Sequence, residues 1–376
     1  MSALGTAVGI ILGRVRGRRL ARAVAARTPS LTPVAVYFAD GPSSVYQLRR
    51  WYQSLEALNA VHPTSIITSD PSTYELVRRE TTVAVTYAFG VPELTRVLAA
   101  QGVQLVLYPN HSAENFRVLR FPAPVHVFIG HGESAKDSSV SRQLKAYDFT
   151  FVADKDSIEQ LRTIRGYDAD AAAVVIGSPW LGFLGAPPAS WTPDDRTVVL
   201  YAPTWEGDRP SMDYSSVETL GEAIVAAVLA DPALRLIYRP HPWLGRVRSA
   251  SAAADARIRR TIATADRGDA VDTGEYGWSL AVADCCVTDV SSVAFDARSL
   301  DKPVLVTVPS GASVPPVRDS AFAGMRRLEP ADAADLPRLI GELTAERAGA
   351  GAAAATSLDA FVSAVDDALR LATTAG

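Results

Sequence analysis

Cysteine is nearly missing from this chain. It has two in 376 residues, and those two, Cys285 and Cys286, are neighbours. Adjacent strand residues point to opposite faces, so the two thiols are not expected to bridge each other, and they make no metal-ligand spacing. They read as small buried core residues, and a reducing compartment is the simplest setting. Long apolar runs are missing as well. The stretch from Ala3 to Gly13 is too short to cross a bilayer. No Gly-x-Gly-x-x-Gly turn follows the first strand-like run of either half, which weighs against a nicotinamide-dependent dehydrogenase. There is no excess of positive charge either: net charge is −4, so nothing in the whole chain supports a role coating nucleic acid.

What is present is core. Apolar residues make up 48% and charged residues 21%, over a length that suits two ordinary domains. The charge is unevenly placed. Residues 1–30 hold six arginines (Arg14, Arg16, Arg18, Arg19, Arg22 and Arg27) and no acid, leaving 31 basic against 41 acidic residues beyond them. Leu4, Val8, Ile10, Ile11, Leu12, Val15, Leu20 and Val24 are interleaved with these arginines. A secretory signal would put its charges first. The expected reading of 1–30 is a basic helix on an anionic membrane surface, each Arg adding about 1 kcal/mol. The plainer alternative is a terminal helix that is solvated or packed on the protein body.

Short β-rich runs then recur: Val34–Phe38, Ser65–Thr68, Thr82–Tyr87, Val103–Tyr108, Val125–Ile129, Phe149–Ala153 and Ala173–Ile176. Helix-like stretches such as Val45–Asn59 and Pro92–Gln101 lie between them. Strands alternating with helices predict parallel βαβ units. Leu181–Asp195, with three prolines and two glycines, reads as a linker. The rhythm restarts with Val198–Ala202, Leu234–Tyr238, Ala270–Asp272, Cys285–Asp289 and Val304–Val308, and Ser216–Leu229 reads as a helix. The expected organisation is a basic segment 1–30, one Rossmann-like domain over 31–182 and a second over 193–345. An amphipathic helix within 356–376 is expected to pack back on the body.

Four clusters stand just past strand-like runs, where open α/β sheets bind ligands. Gly130-His131-Gly132 lets backbone approach a substrate, and an imidazole there suits a base. Lys136 follows five residues after the histidine. Tyr201-Ala202-Pro203-Thr204-Trp205 offers a hydroxyl at Thr204 and a stacking ring. Arg239-Pro240-His241-Pro242 pins a guanidinium and an imidazole in a rigid segment. In Asp289-Val290-Ser291-Ser292, either serine suits the N-cap of a helix running to Leu300, and a helix N-terminus suits a phosphate. Each cluster also has a bland reading, a local turn or an ordinary helix cap. The conjunction at strand ends carries the functional reading.

In order, Gly130-His131-Gly132, Gly177-Ser178-Pro179, Leu200-Tyr201-Ala202-Pro203-Thr204-Trp205, Arg239-Pro240-His241-Pro242, Thr288-Asp289-Val290-Ser291-Ser292-Val293-Ala294-Phe295-Asp296 and Leu300-Asp301-Lys302-Pro303 resemble the CDP-glycerol glycerophosphotransferase family of cell-wall polymer primases and polymerases. The resemblance covers about residues 125–306. It implies an α/β, GT-B-type fold, with two Rossmann-like domains facing across a cleft and the nucleotide held mainly by the second. It implies attack of an acceptor hydroxyl on the phosphate bearing the glycerol, with release of CMP. On that pattern His131 and His241 are the catalytic candidates, with His131 matching the family's proposed base. Arg239, Ser291, Ser292, Thr204 and Asp289 fall on the donor and phosphate side, Arg239 and His241 together matching the diphosphate site. Lys136 and Gly132 fall on the acceptor side. The implied partners are CDP-glycerol or a related CDP-polyol, a lipid-linked acceptor and an anionic membrane surface, at the cytoplasmic face. No cofactor or metal is expected, because a helix N-terminus, an Arg and imidazoles can stabilise the charge of phosphoryl transfer. Two departures leave the acceptor open: Glu133-Ser134-Ala135 stands where the family often has Thr-Pro-Leu, and Trp180-Leu181 follows the Gly-x-Pro turn. The nearest alternative is a GT-B glycosyltransferase using a nucleotide-sugar. Another is a non-catalytic nucleotide- or polysaccharide-binding module.

Overall fold

The structure, a computed structural model, describes residues 17, 19–21, 24, 30–132, 141–209, 212–274, 276–307, 325–347 and 358–374. It divides into two compact units. The first takes Met1–His131, Val140–Trp180 and Ser357–Gly376, and the second takes Gly132–Ser139 and Leu181–Thr356.

The first unit is built on β1 (Val34–Phe38), β2 (Thr64–Thr68), β3 (Ala84–Tyr87), β4 (Leu105–Tyr108), β5 (Val125–Phe128), β6 (Phe149–Val152) and β7 (Ala173–Val175). Their order in the sheet is β3-β2-β1-β4-β5-β6-β7, and every pairing is parallel. β1, β2 and β4 are buried at every position. Helices cover both faces of such a sheet, so its central strands read as apolar runs rather than alternations. The second unit holds β8 (Thr197–Ala202), β9 (Leu234–Tyr238), β10 (Ala270–Val271), β11 (Cys285–Thr288), β12 (Val304–Thr307) and β13 (Arg326–Leu328), all parallel, in the order β10-β9-β8-β11-β12-β13. Both are Rossmann-like sheets of the α/β class. Each reverses its winding once, between β1 and β4 in the first sheet and between β8 and β11 in the second. At such a switch point the loops after the two strands part, leaving a crevice beyond their carboxyl ends.

Local differences from the sequence expectation have physical causes. The helix expected over Val45–Asn59 is two helices, Val45–Arg49 and Tyr52–Val61. Between them Trp51 is fully buried, and its indole N–H donates to Gly130 O at 2.6 Å. The helix expected from Ser216 starts at Gly221. The carbonyl of Ser216 instead accepts from the amides of Thr219, Leu220 and Gly221 in a tight turn. A side chain at Gly221 would stand 2.8 Å from Ile258 Cδ1, so that terminal methyl would have to shift to admit one. The segments Asp154-Lys155-Asp156 and Asp168-Ala169-Asp170 mark helix starts: Asp154 accepts from Ser157 N at 2.8 Å and Asp168 from Ala171 N at 3.2 Å.

The carboxyl-terminal helix, Leu358–Thr374, packs on the first unit. Phe361 is fully buried with its ring 5.3 Å from Trp51 and 6.4 Å from Phe151. Asp366 meets His62 Nε2 at 2.6 Å. Of the basic leader, residues 17, 19–21 and 24 are described and helical. Leu20, Ala21 and Val24 pack with Tyr74 and Tyr87 of the first unit, so this part of the leader is docked on protein. The rest of 1–30 and the small-residue run 348–356 lie outside the described residues. Among the described residues no helix is long and apolar enough to cross a membrane.

Cys285 and Cys286 are buried strand residues with thiols pushed up by desolvation, Cys286 to about 12. Both are expected to resist a thiol-specific reagent in the native protein and to react in full once it is unfolded, as read by absorbance in buffer and in 6 M guanidinium. Rapid native labelling would contradict the buried placement.

Candidate functional site

The second unit's switch point gathers three of the four sequence clusters. The chain leaves β8 into Pro203-Thr204-Trp205 and leaves β11 into Asp289-Val290-Ser291. Asp289 ties these loops together. It is fully buried, and its Oδ2 accepts from Thr204 N at 2.7 Å and Ser216 N at 3.2 Å. Its Oδ1 accepts from the hydroxyl of Thr307, the last residue of β12. Desolvation dominates its titration and lifts the pKa to about 6, against the lowering effect of these hydrogen bonds. Asp289 therefore acts as an internal strap. The sequence reading put it among donor-binding residues, whereas the structure commits both its oxygens to protein. Thr204 is also buried, and its backbone carbonyl accepts from Ser215 Oγ at 2.8 Å.

Ser291 stands at the N-cap of the helix Ser292–Ser299, in extended conformation, as its position in sequence predicts. Its hydroxyl does not cap the helix. Thr288 donates its own proton to Ala202 O at 2.7 Å, so Ser291 Oγ, 3.1 Å away, donates to Thr288 Oγ1. The dipole of this helix places partial positive charge at its Ser291-Ser292 end. Ser292 is the first helical residue.

Arg239 follows β9. Its guanidinium is paired with Asp272, donates to Gly274 O at 3.1 Å and lies 5.3 Å from the Tyr276 ring centroid. The pairing with Asp272 offsets part of its charge and fixes its plane. His241 is held differently. Its Nδ1 accepts from Trp243 N at 3.0 Å, so in the neutral ring the proton sits on Nε2, which is a donor. The ring stacks on Trp205 at 6.2 Å between centroids, and Trp205 meets Trp243 edge-on at 5.0 Å. Glu206, next in the chain, is almost fully buried and accepts from the amides of Gly245, Val247 and Arg248, each at 2.9 Å. Burial raises its pKa, but these N–H donors outweigh it and hold the carboxylate below its ordinary value. The Tyr-Ala-Pro-Thr-Trp-Glu segment thus folds the loop that carries His241.

In the first unit, His131 follows β5, one strand from the switch point. Tyr108 O accepts from Ile129 N at 2.9 Å and Gly130 N at 3.3 Å, drawing the turn onto the end of β4. Gly130 has φ 60° and Gly132 φ 124°, backbone that favours glycine. His131 Nδ1 faces Pro109 O at 3.1 Å. A carbonyl only accepts, so the neutral ring carries its proton on Nδ1 and its lone pair on Nε2. Tyr46 meets the ring edge-on at 6.3 Å, and Trp51 supports the turn from beneath through Gly130 O. Lys136 lies outside the described residues.

Sequence reasoning placed Glu206 in the cluster after β8 without giving it a role, and missed Ser216, Asp272, Tyr276 and Thr307. Glu206 was the most findable, as an acid inside an apolar motif. The others become visible only once strand order places their loops together. The last family-like element is also structural. Asp301 has φ 55° and closes the helix, while Lys302 Nζ reaches Ala281 O at 3.0 Å and Ala283 O at 2.5 Å. Among the described residues no group of three His, Cys, Asp or Glu is placed to hold a metal.

Comparison with known proteins agrees with the sequence resemblance. Residues 129–312, just under half of the chain, match the family described as CDP-Glycerol:Poly(glycerophosphate) glycerophosphotransferase. That is an enzyme family of transferases, and this segment carries its signature. The fold matches GT-B-type structures. One is the wall teichoic acid polymerase TagF soaked with CDPG, at 13% identity, with a TM-score of 0.55 over 97% of this chain and 96% of that one. Another is MnaA of S. aureus with UDP, at 13% identity and TM-score 0.59 over 90% and 97% of the two chains. A third is the UDP-GlcNAc 2-epimerase of Neisseria meningitidis bound to UDP-GlcNAc, at 15% identity and TM-score 0.58 over 90% and 99%. At these identities the likeness is one of fold. No curated protein matches the chain.

The Asp289 strap yields a stability prediction. A carboxyl whose folded pKa lies above its unfolded value favours folding below the unfolded pKa, and that contribution is lost as pH rises through about 6. Asp289→Asn keeps an oxygen for the two amides and an amide for Thr307 Oγ1. It is expected to flatten the fall in melting temperature between about pH 4 and 6. Asp289→Ala leaves three buried donors unpaired and should cost about 1–3 kcal/mol per donor. Thermal melts of the three proteins across that pH range check both; parallel wild-type and Asn curves would remove the strap's charge from the account.

Proposed function

We propose that this protein transfers glycerol phosphate, or a related polyol phosphate, from a CDP-activated donor to a hydroxyl of a lipid-linked cell-wall or capsule polymer, releasing CMP. The observation that carries the reading is the second unit's switch point. There the helix N-terminus at Ser291-Ser292, with Arg239 and His241 on the loop after β9, lies inside the segment that matches the glycerophosphotransferase family. The soak of TagF with CDPG adds support from a protein of the same fold. In this reading the second unit holds the donor and the first presents the acceptor.

The chemistry follows from the two histidine tautomers. His131 Nε2 takes the proton of the acceptor hydroxyl. The acceptor oxygen attacks the phosphorus that bears the glycerol, a new P–O bond forms, and the bridging P–O bond breaks with its electron pair going to CMP. Negative charge grows on the transferred phosphoryl group and on the leaving phosphate. His241 Nε2–H and the helix N-terminus supply positive ends to that charge, with Arg239 held at fixed angle by Asp272. Thr204 and Asp289 shape the loop rather than touch the donor. Lys136 and Gly132 belong to the acceptor side of this proposal. The arginines of 1–30 favour a peripheral position on the cytoplasmic face of an anionic membrane, where a lipid-linked acceptor resides.

The fold by itself does not select the donor, since proteins that bind UDP or UDP-GlcNAc match it as well as TagF does. The test is direct. Purified protein with acceptor membranes is expected to release CMP from CDP-glycerol or CDP-ribitol and to leave UDP-sugars intact. Release of UDP alone would transfer the protein to the nucleotide-sugar glycosyltransferases. His131→Ala is expected to lower turnover about 10²–10⁴-fold with CDP-glycerol affinity largely retained. Unchanged turnover would remove His131 as the base.

A further inference from the structure

The connection from β10 to β11 holds residues that no step above uses. In the sheet order β10 lies outside β9 and β11 lies beyond β8, so this connection has to pass both β9 and β8 on its way. Its first residues stay beside the carboxyl end of β9, where Asp272 N donates to Tyr238 O at 2.8 Å. There they meet Arg239. Asp272 is 3% exposed and ion-paired with the guanidinium, Gly274 O accepts from it at 3.1 Å, and the Tyr276 ring centroid stands 5.3 Å from its Cζ. Asp272 is oriented from within the same segment: its Oδ2 takes Arg239 while its Oδ1 accepts from Gly274 N at 3.0 Å. The plane of the guanidinium is thus set by this connection as well as by its own strand.

The connection has a second hold. Tyr276 donates its hydroxyl proton to Asp296 Oδ2. Asp296 is 1% exposed and lies one turn into the helix Ser292–Ser299. Arg239 follows β9 and this helix follows β11, and both strands pair with β8 rather than with each other, which sets them about 9–10 Å apart. Tyr276 spans that separation, with its ring beside the guanidinium and its hydroxyl on the helix. The next residue pins the connection from another side. Gly277 has φ 145°, and a side chain there would stand 2.3 Å from Leu184 O, so the chain passes that carbonyl as only glycine can.

We infer that Tyr276 is a positioning residue for the donor's phosphates. Through Arg239 and Asp296 it fixes the distance and angle between the guanidinium and the positive end of the helix, the two groups that would share one diphosphate. The inference rests on the donor reading above and adds to it a residue that touches neither base nor reacting atoms. A tie that only stabilised the fold would alter melting; a tie that sets phosphate geometry alters the affinity for phosphate-bearing ligands and leaves the bare nucleoside alone.

The test uses the full-length protein, with calorimetric titration of CDP, CDP-glycerol and UDP, and saturation-transfer NMR for the phosphate-free probes cytidine and uridine. Tyr276→Phe keeps the ring and removes the hydroxyl. It should weaken CDP and CDP-glycerol about tenfold, the loss of one hydrogen bond to a charged group, with cytidine binding unchanged. In an Arg239→Gln background the same substitution should change CDP affinity less than about twofold, because the group it positions is gone. Asp296→Asn exchanges the charged acceptor for a neutral one. It should give a smaller loss of the same kind, and it carries the test if the melting temperature shows that Tyr276→Phe does not fold. Unchanged CDP affinity in the folded variants, an equal loss with cytidine, or an undiminished tenfold loss on top of Arg239→Gln would overturn the role. A wild type that binds UDP and not CDP would overturn the donor reading, while the same cycle run with UDP still decides on Tyr276. A wild type that binds neither diphosphate would overturn both.

Discussion

A carboxylate with no access to water organises the second unit's crevice. Asp289 receives the amides that start two loops and the hydroxyl that ends a strand, so three segments far apart in sequence meet on one pair of oxygens. The arrangement is electrostatically expensive, as its raised pKa shows. The return is geometric. The turn into the helix Ser292–Ser299 cannot shift without breaking contacts to β8 and β12. A phosphate site made of backbone amides depends on such rigidity, since no flexible side chain can adjust for a misplaced loop.

Glu206 repeats the device one loop away, with a buried carboxylate gathering three amides. Together the two acids explain why motifs that look like ligand-binding signatures carry so many residues that face inward. Tyr201 through Glu206 and Thr288 through Asp296 are largely scaffolding for a few exposed groups. The two histidines show how the scaffold sets chemistry. Each uses Nδ1 for protein contact, but one faces a carbonyl and the other an amide. That single difference puts the lone pair on Nε2 of the neutral His131 ring and the proton on Nε2 of the neutral His241 ring.

The strands were legible because buried parallel strands are continuous apolar runs, and Val34–Phe38 and Leu234–Tyr238 have the bounds their composition predicts. The helix Ser249–Ala265 was not read, because it buries Ser251 and Ala254 alongside Ile258 and Ile262, and small residues leave a faint periodic signal. β13 was missed because only Leu328 of its three residues is buried. At the site, residue types were legible and their roles only partly so. A sequence shows that Asp289 and Ser291 sit after a strand, but not that one turns fully inward and the other gives its proton to Thr288. The pairings of Asn110 with Asp40 and of Trp51 with Gly130 span 70 and 79 residues, and no local pattern announces them.

The return of the helix Leu358–Thr374 to the first unit makes that unit discontinuous along the chain. Biosynthesis proceeds from the amino end at about 5–20 residues per second, so the unit begun first is finished last. While Leu181–Thr356 emerges, Trp51 and Phe151 wait without the aromatic ring that covers them. The packing around Trp51 and Phe151 is therefore completed only by a segment made at the far end of the unit.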